Sequence, residues 1–263
     1  MTGVPIIPAL PQIHTLGRQY TKEQGMEKLN SPTLRYVSSG GAPLDPAWKR
    51  KAEAFYELPL QNGFGMTETS SGASGTMNPI GSPDVSVGLL TPDTEARIDV
   101  DATGGNGVDE GEVLVRGPHV MKGYYRNEAE TAKALDADGW LHTGDLGKID
   151  DEGRLYILGR SKELIIHGGF NVYPREVEDT LSSHPDVANV AVVGVPHDKW
   201  GEAVTAVVVQ REGCTIDSAA LSSFVKDKKG PIYAPKAIHV VDAIPLTAIG
   251  KPDRKAVRAM LAE

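Results

Sequence analysis

The pattern of apolar and polar positions changes twice along this chain. In the first stretch, short apolar runs alternate with helix-spaced segments. Residues 15–29 read as a helix, and Leu34–Ser38 as a buried strand that runs out into Ser39-Gly40-Gly41-Ala42-Pro43. Asp45-Pro46 opens a second helix over Ala47–Phe55, with proline at the first helical position, where its missing N–H goes unneeded. Leu58–Asn62 is a short strand, followed by GFGMTETSSGASG at Gly63–Gly75. Strands and helices in alternation, with glycine-rich turns after the strands, predict an α/β layer.

From Val85 to Ile157 the period shortens. The segments Ala96–Val100, Glu112–Arg116 and Arg154–Ile157 alternate and are separated by Gly, Asp and Asn clusters, which predicts a small β-rich subdomain. A polar helix, Asn127–Leu135, interrupts it, and Ala102–Gly111 reads as a surface loop. After Gly159 the pattern changes again. Leu164-Ile165-Ile166 is a short strand, Gly168-Gly169 a tight bend, and Pro174 starts a helix to Ser183 with Glu176 and Glu178 near its beginning. Val187–Val195 and Ala203–Gln210 read as buried strands. Asp217–Lys228 is helical with Leu221, Phe224 and Val225 at core spacing, Ala237–Val241 is a strand, and Pro252–Leu261 a terminal helix. This is an α+β unit of its own, and the boundary falls near Arg160.

Composition narrows the picture modestly. The 263 residues are 40% hydrophobic and 24% charged, ordinary for globular protein, with a net charge of -8. No basic stripe stands out, which argues against a nucleic-acid partner. The single cysteine, Cys214, permits neither an internal disulfide nor a cysteine zinc site and fits a reducing compartment. The apolar N-terminus carries Pro5, Pro8 and Pro11 and no basic region, so it is a poor signal peptide; it reads as the exit of a strand. No apolar run approaches the length that spans a bilayer, so no transmembrane segment and a cytoplasmic location are expected.

Four stretches have the composition of a site. Gly40-Gly41-Ala42-Pro43 follows a strand, where small residues let a flat ligand approach the backbone; a tight turn before a helix is the better explanation of this stretch alone. In Gly63-Phe64-Gly65-Met66-Thr67-Glu68, glycines flank a ring that can stack on a base or sit in the core. The hydroxyl and carboxylate that follow suit a phosphate oxygen and Mg²⁺. In Trp140-Leu141-His142-Thr143-Gly144-Asp145, an aspartate after a glycine bend suits a ribose diol. His142 has no partner visible in the sequence and reads as structural. Lys251, on a Gly-Pro-flanked turn before the last helix, is either a solvated basic residue or a lysine delivered into a remote site to offset developing charge.

In this order, GGAPL at 40–44, NGFGMTE at 62–68, LHTGD at 141–145, GRSKELIIHGGFNVYPREVE at 159–178 and PLTAIGKPDRK at 245–255 resemble the adenylate-forming superfamily, most of all bacterial fatty-acid–CoA and aryl-CoA ligases. The resemblance covers essentially the whole chain. It implies residues 1–159 as the C-terminal part of the large AMP-binding domain, 160–163 as a hinge and 164–263 as a small mobile domain. It implies that Gly41, Ala42 and Pro43 line the adenine and that Phe64 stacks on it within the nucleotide-binding run Gly63, Gly65 and Met66. Thr67 is then placed on the α-phosphate, Glu68 on Mg²⁺, Asp145 on the ribose with Arg160 assisting, Lys162 at the hinge, Gly169 near the pantetheine path and Lys251 as the catalytic lysine.

The activity implied is an acid–thiol ligase that takes ATP, a fatty or aryl carboxylic acid and CoA. Alternatives are an adenylation module loading a carrier protein, or a non-catalytic nucleotide- or CoA-binding remnant. The chain ends with no carrier domain, which favours free CoA. The glycine-, serine- and threonine-rich phosphate loop that precedes these motifs in the superfamily is absent from the sequence. The expectation is therefore the C-terminal part of a ligase: a truncated or fragmentary gene product, or one paired with a separately encoded N-terminal half.

Overall fold

A computed structural model describes residues 5–41, 44–103, 109–247 and 252–262. The chain divides into two compact units, one built from Met1–Val100 and Asp109–Ile157, the other from Asp101–Val108 and Leu158–Glu263.

In the first unit, strand β1 (Ile6–Ala9) leads through helix α1 (Pro11–Glu23) to β2 (Tyr36–Gly40), and helix α2 (Pro46–Tyr56) leads to β3 (Leu60–Phe64). These strands are parallel, and β4 (Ser74–Gly75) and β5 (Leu89–Leu90) extend the sheet antiparallel. Leu34, Val37, Leu44, Ala52, Phe55 and Leu60 form the core between sheet and helices. The Asp45 carboxylate caps α2 by accepting from the Trp48 N–H. Inside α2, the buried Lys49 Nζ donates to the Ser82 and Asp84 carbonyls, and the buried Glu53 accepts from Leu60 N–H and Gly81 N–H. One helix face thus anchors both a strand start and the loop that follows β4.

A second, four-stranded sheet joins β6 (Glu95–Asp99), β7 (Gly111–Arg116), β8 (Leu141–Ile149) and β9 (Leu155–Arg160) in sequence order. Its core is Val113, Val115 and Leu155 with Ala73 and Val87. The polar helix α3 (Glu128–Ala134) lies between β7 and β8, capped by the Asn127 carboxamide.

The first helix departs from the expected 15–29. Pro11 occupies its first turn, after an extended Leu10, so a proline that reads as strand-like in sequence is a start signal; Gly25, at φ +76°, ends it. Its faces are also reversed. His14 and Thr21 are buried, while Ile13, Leu16 and Tyr20 are more than half exposed.

The His14 imidazole is held on both sides. The Ser38 carbonyl can only accept, so Nε2 carries the proton and donates to it at 3.0 Å, and Nδ1 accepts from the Tyr56 hydroxyl at 2.9 Å. Burial lowers the His14 pKa below its ordinary 6.5. The unfolded chain therefore binds the proton first, and stability falls as pH drops below about 6.5 towards the folded-state value. In urea titrations of the first unit between pH 7.5 and 5, His14→Gln is expected to flatten this part of the curve. Equal slopes in the two proteins would refute the assignment.

The second unit is a sheet covered on both faces. The hairpin β10 (Ile165–His167) and β11 (Phe170–Val172) turns through Gly168 and Gly169, both at positive φ. The long strands β12 (Val187–His197) and β13 (Gly201–Gln210) pair antiparallel, and β14 (Ala237–Val240) joins β13 in parallel. Along β12 the side chains divide by parity. Val190 and Val192 pack towards α4 (Pro174–Ser182) and α5 (Ser218–Lys229) with Val177, Leu181, Leu221 and Val225, while Ala191 and Val193 pack with Val257 of α6 (Arg254–Met260). A strand buried on both faces reads as an unbroken apolar run, which is what Val190–Val195 is, after the exposed Ala188 and Asn189. Aspartates cap both later helices: Asp217 accepts from Ala219 and Ala220 N–H, and Asp253 from Lys255 and Ala256 N–H. Among the described residues, no helix is long and apolar enough to cross a membrane.

Candidate functional site

The parallel register of β2 and β3 sets Gly40 opposite Gly63. The two glycine-rich stretches, far apart in sequence, therefore leave the sheet side by side at its carboxyl edge, where α/β sheets take ligands. Gly41 lies at φ +67°; Ala42 and Pro43 fall outside the described residues. Phe64 is half-buried and packs against the core of the second sheet.

The chain after Phe64 folds back very tightly. A Cβ on Gly65 would lie 1.7 Å from the Ser71 carbonyl oxygen, so only glycine fits there. A short 3-10 turn covers Thr67–Thr69. It is closed by the fully buried Thr69, whose hydroxyl accepts from Met66 N–H and donates to the Met66 carbonyl. Ser70 and Ser71 then take φ of 49° and 93°, left-handed values for residues that bear a Cβ. Strain of this kind persists where the surroundings over-determine it, and here it turns Thr67 outward and leaves Glu68 half-exposed.

Glu68 is gripped from one side. Tyr124 Oη donates to Glu68 Oε1 at 2.8 Å, and Met121 N–H donates to the Glu68 carbonyl at 2.8 Å. Donation into the carboxylate raises the Tyr124 pKa above its ordinary value, with lesser help from desolvation. Nothing in the local sequence announces this pair, which is 56 residues apart.

Asp145 is buried on β8, in an irregular part of the β7–β8 ladder. Gly144 sits at φ +69°, and the Thr143 hydroxyl donates to the Val113 carbonyl while accepting from Asp145 N–H. Glu112 braces the bend: Oε1 accepts from Gly144 N–H at 2.8 Å and Oε2 lies 3.1 Å from His142 Nδ1. His142 thus has the partner that its sequence neighbourhood did not show, and that partner makes it part of the scaffold behind Asp145.

The remaining candidates belong to the second unit. Arg160 ends β9, Lys162 stands exposed on the short 3-10 turn Ser161–Glu163, and Gly169 lies exposed in the β10–β11 turn at φ +85°. Lys251 lies outside the described residues. Its flanks are tied together, Leu246 pairing antiparallel with Pro252 and Asp253 N–H donating to the Pro245 carbonyl at 2.9 Å. Among the described residues, no group of three or more His, Cys, Asp or Glu side chains gathers where it could hold a metal. Mg²⁺ is commonly held by one or two carboxylates together with substrate phosphates and water, so a single outward carboxylate such as Glu68 fits that ion.

Family models match both units: the AMP-binding enzyme model over residues 2–125, and the AMP-binding enzyme C-terminal domain model over residues 176–251. The chain belongs to the AMP-binding enzyme family. Within it, a medium/long-chain-fatty-acid–CoA ligase of Mycobacterium tuberculosis is 52% identical over 156 residues, covering 57% of this chain and 27% of that protein. A long-chain-fatty-acid–CoA ligase of Bacillus subtilis is 36% identical over 248 residues, covering 94% of this chain and 44% of its own length. Among solved structures, the o-succinylbenzoate CoA synthetase of Bacillus subtilis in complex with its acyl-adenylate intermediate superposes with a TM-score of 0.82 at 30% identity, covering 97% of this chain and 51% of that one. The fold is therefore that of the adenylate-forming enzymes, and this chain spans about half the length of such relatives, or less.

Proposed function

We propose that this chain supplies the adenylate-handling and thiol-transfer portion of an ATP-dependent acid–CoA ligase. The observation that carries the reading is the register that sets Gly40 beside Gly63 and projects Thr67 and Glu68 beyond the carboxyl edge of the sheet. A carboxylate oxygen of the acid attacks the α-phosphorus of ATP and pyrophosphate leaves, giving an acyl-adenylate. The CoA thiolate then attacks the acyl carbonyl, and AMP leaves.

Gly41, Ala42, Pro43, Gly63, Phe64, Gly65 and Met66 would enclose the adenine, with Phe64 stacked on it. Asp145 would accept from the ribose hydroxyls, with Arg160 assisting, and Thr67 would donate to the α-phosphate. Glu68 would hold Mg²⁺, which would supply charge neutralisation at the phosphates. Lys162 would act at the pivot between the two steps, and Gly169 would lie beside the thiol. The names of the curated relatives support a fatty or aryl acid and free CoA; a second polypeptide supplying the N-terminal length is part of the proposal.

The direct test is AMP binding by the purified chain, measured by calorimetry. Binding is expected, and Phe64→Ala should weaken it. Glu112→Ala, which removes the brace behind Asp145, should weaken it about tenfold, the equivalent of about 1.4 kcal/mol of lost hydrogen bonding. Absence of AMP binding, or binding indifferent to both changes, would sink the reading. Release of AMP from acyl-adenylate by CoA alone separates a CoA ligase from a module that loads a carrier protein.

A further inference from the structure

The segment that grips Glu68 is itself firmly fixed. Tyr124 N–H donates to the Thr131 hydroxyl at 2.9 Å, and that hydroxyl donates to the Asn127 carbonyl at the start of α3. Gly123 takes φ +147° with the Thr131 side chain against it, and a Cβ there would stand 2.7 Å from Thr131 Cγ2. One step further back, the Ser70 hydroxyl donates to the His119 carbonyl at 2.8 Å. The 119–124 segment is therefore stapled to the 66–71 turn through Ser70, through the Glu68 carbonyl and through the Glu68 carboxylate.

We propose that Tyr124 is the positioning residue for the Glu68 carboxylate, fixing its plane through Oε1 so that Oε2 is the oxygen presented to a divalent cation. The proposal rests on the reading of Glu68 as the cation's carboxylate. A half-exposed glutamate otherwise samples several rotamers, and a cation must select one of them. The phenol removes that freedom beforehand, and its bond leaves Oε2 with both lone pairs. The phenylalanine ring keeps the packing of the tyrosine and removes only the donor, so the two effects separate cleanly. Partners that orient a metal's ligand in this way typically change affinity by about 10- to 100-fold when removed.

The experiment uses the whole chain with Mn²⁺ as the probe and AMP present, following loss of the free Mn²⁺ signal by electron paramagnetic resonance. Wild type is expected to take up Mn²⁺ in a manner abolished by Glu68→Gln. Tyr124→Phe should weaken uptake by about tenfold or more while leaving the unfolding midpoint unchanged. Tyr124→Phe binding within about twofold of wild type, or more tightly, would overturn the positioning role while leaving the Glu68 assignment standing. Wild-type uptake that ignores Glu68→Gln, or no uptake at all, would overturn both.

Discussion

Arg254→Ala is expected to destabilise the second unit by about 3–5 kcal/mol, the usual result of stripping the partner from a buried charge. Glu178, on α4, is only 6% exposed, and both of its carboxylate oxygens lie 2.8 Å from Arg254 Nη2. Its other partner is the Val192 N–H on β12, which donates to Oε1 at 2.8 Å. Arg254 Nε also lies 3.4 Å from Glu163, so one guanidinium joins the start of the last helix to α4 and to the turn before β10.

The pH dependence of this loss has a definite sign. Burial raises the Glu178 pKa and Arg254 counteracts it, so losing the arginine raises it further. A carboxyl raised in the folded state contributes stability below its unfolded pKa, and that stability is lost as pH rises through the folded value. The deficit of Arg254→Ala should therefore be larger at pH 8 than at pH 5. Hydrogen exchange at the Val192 and Val193 amides reads the change. The double replacement Glu178→Leu with Arg254→Met should recover much of the loss, since a buried pair exchanged for apolar groups is often neutral. Protection in Arg254→Ala equal to wild type would show that the pair is dispensable.

In a ligase reconstituted with the N-terminal length that its relatives carry, Lys251→Ala is expected to slow acyl-adenylate formation by about 100- to 1,000-fold, the scale of losing one charge-stabilising donor. Thioester formation from preformed acyl-adenylate should change far less, because no charge is then developing between a carboxylate and a phosphate. Pyrophosphate exchange reads the first step and CoA-dependent release of AMP the second. Equal loss in both would remove Lys251 from the adenylation step.

Legibility in the sequence followed the range of the interaction. The doubly covered sheet of the second unit shows in Val190–Val195, because burial on both faces leaves no polar alternation there. Pro46 and Pro174, each at the first position of a helix, mark starts that local sterics determine. Pro11 does the same, yet it was masked by Pro5 and Pro8, which make the whole segment look extended. The pairing of Gly40 with Gly63 could not be read, because strand register depends on the packing of both crossover helices. Tyr124–Glu68 and His142–Glu112 were hidden for a related reason. Each joins side chains whose proximity is created by a turn or a sheet irregularity, and neither end carries a local signal of its partner.

The reversed faces of α1 have a consequence for the material itself. Ile13, Leu16 and Tyr20 share one stripe of the helix and face outward, and β1, which precedes the helix, is an edge strand among the described residues. An exposed apolar stripe and an open strand edge are each adhesive in water. Despite the net charge of -8, self-association of the purified chain is expected to rise with its concentration. Concentration, rather than temperature, becomes the condition to watch in storage.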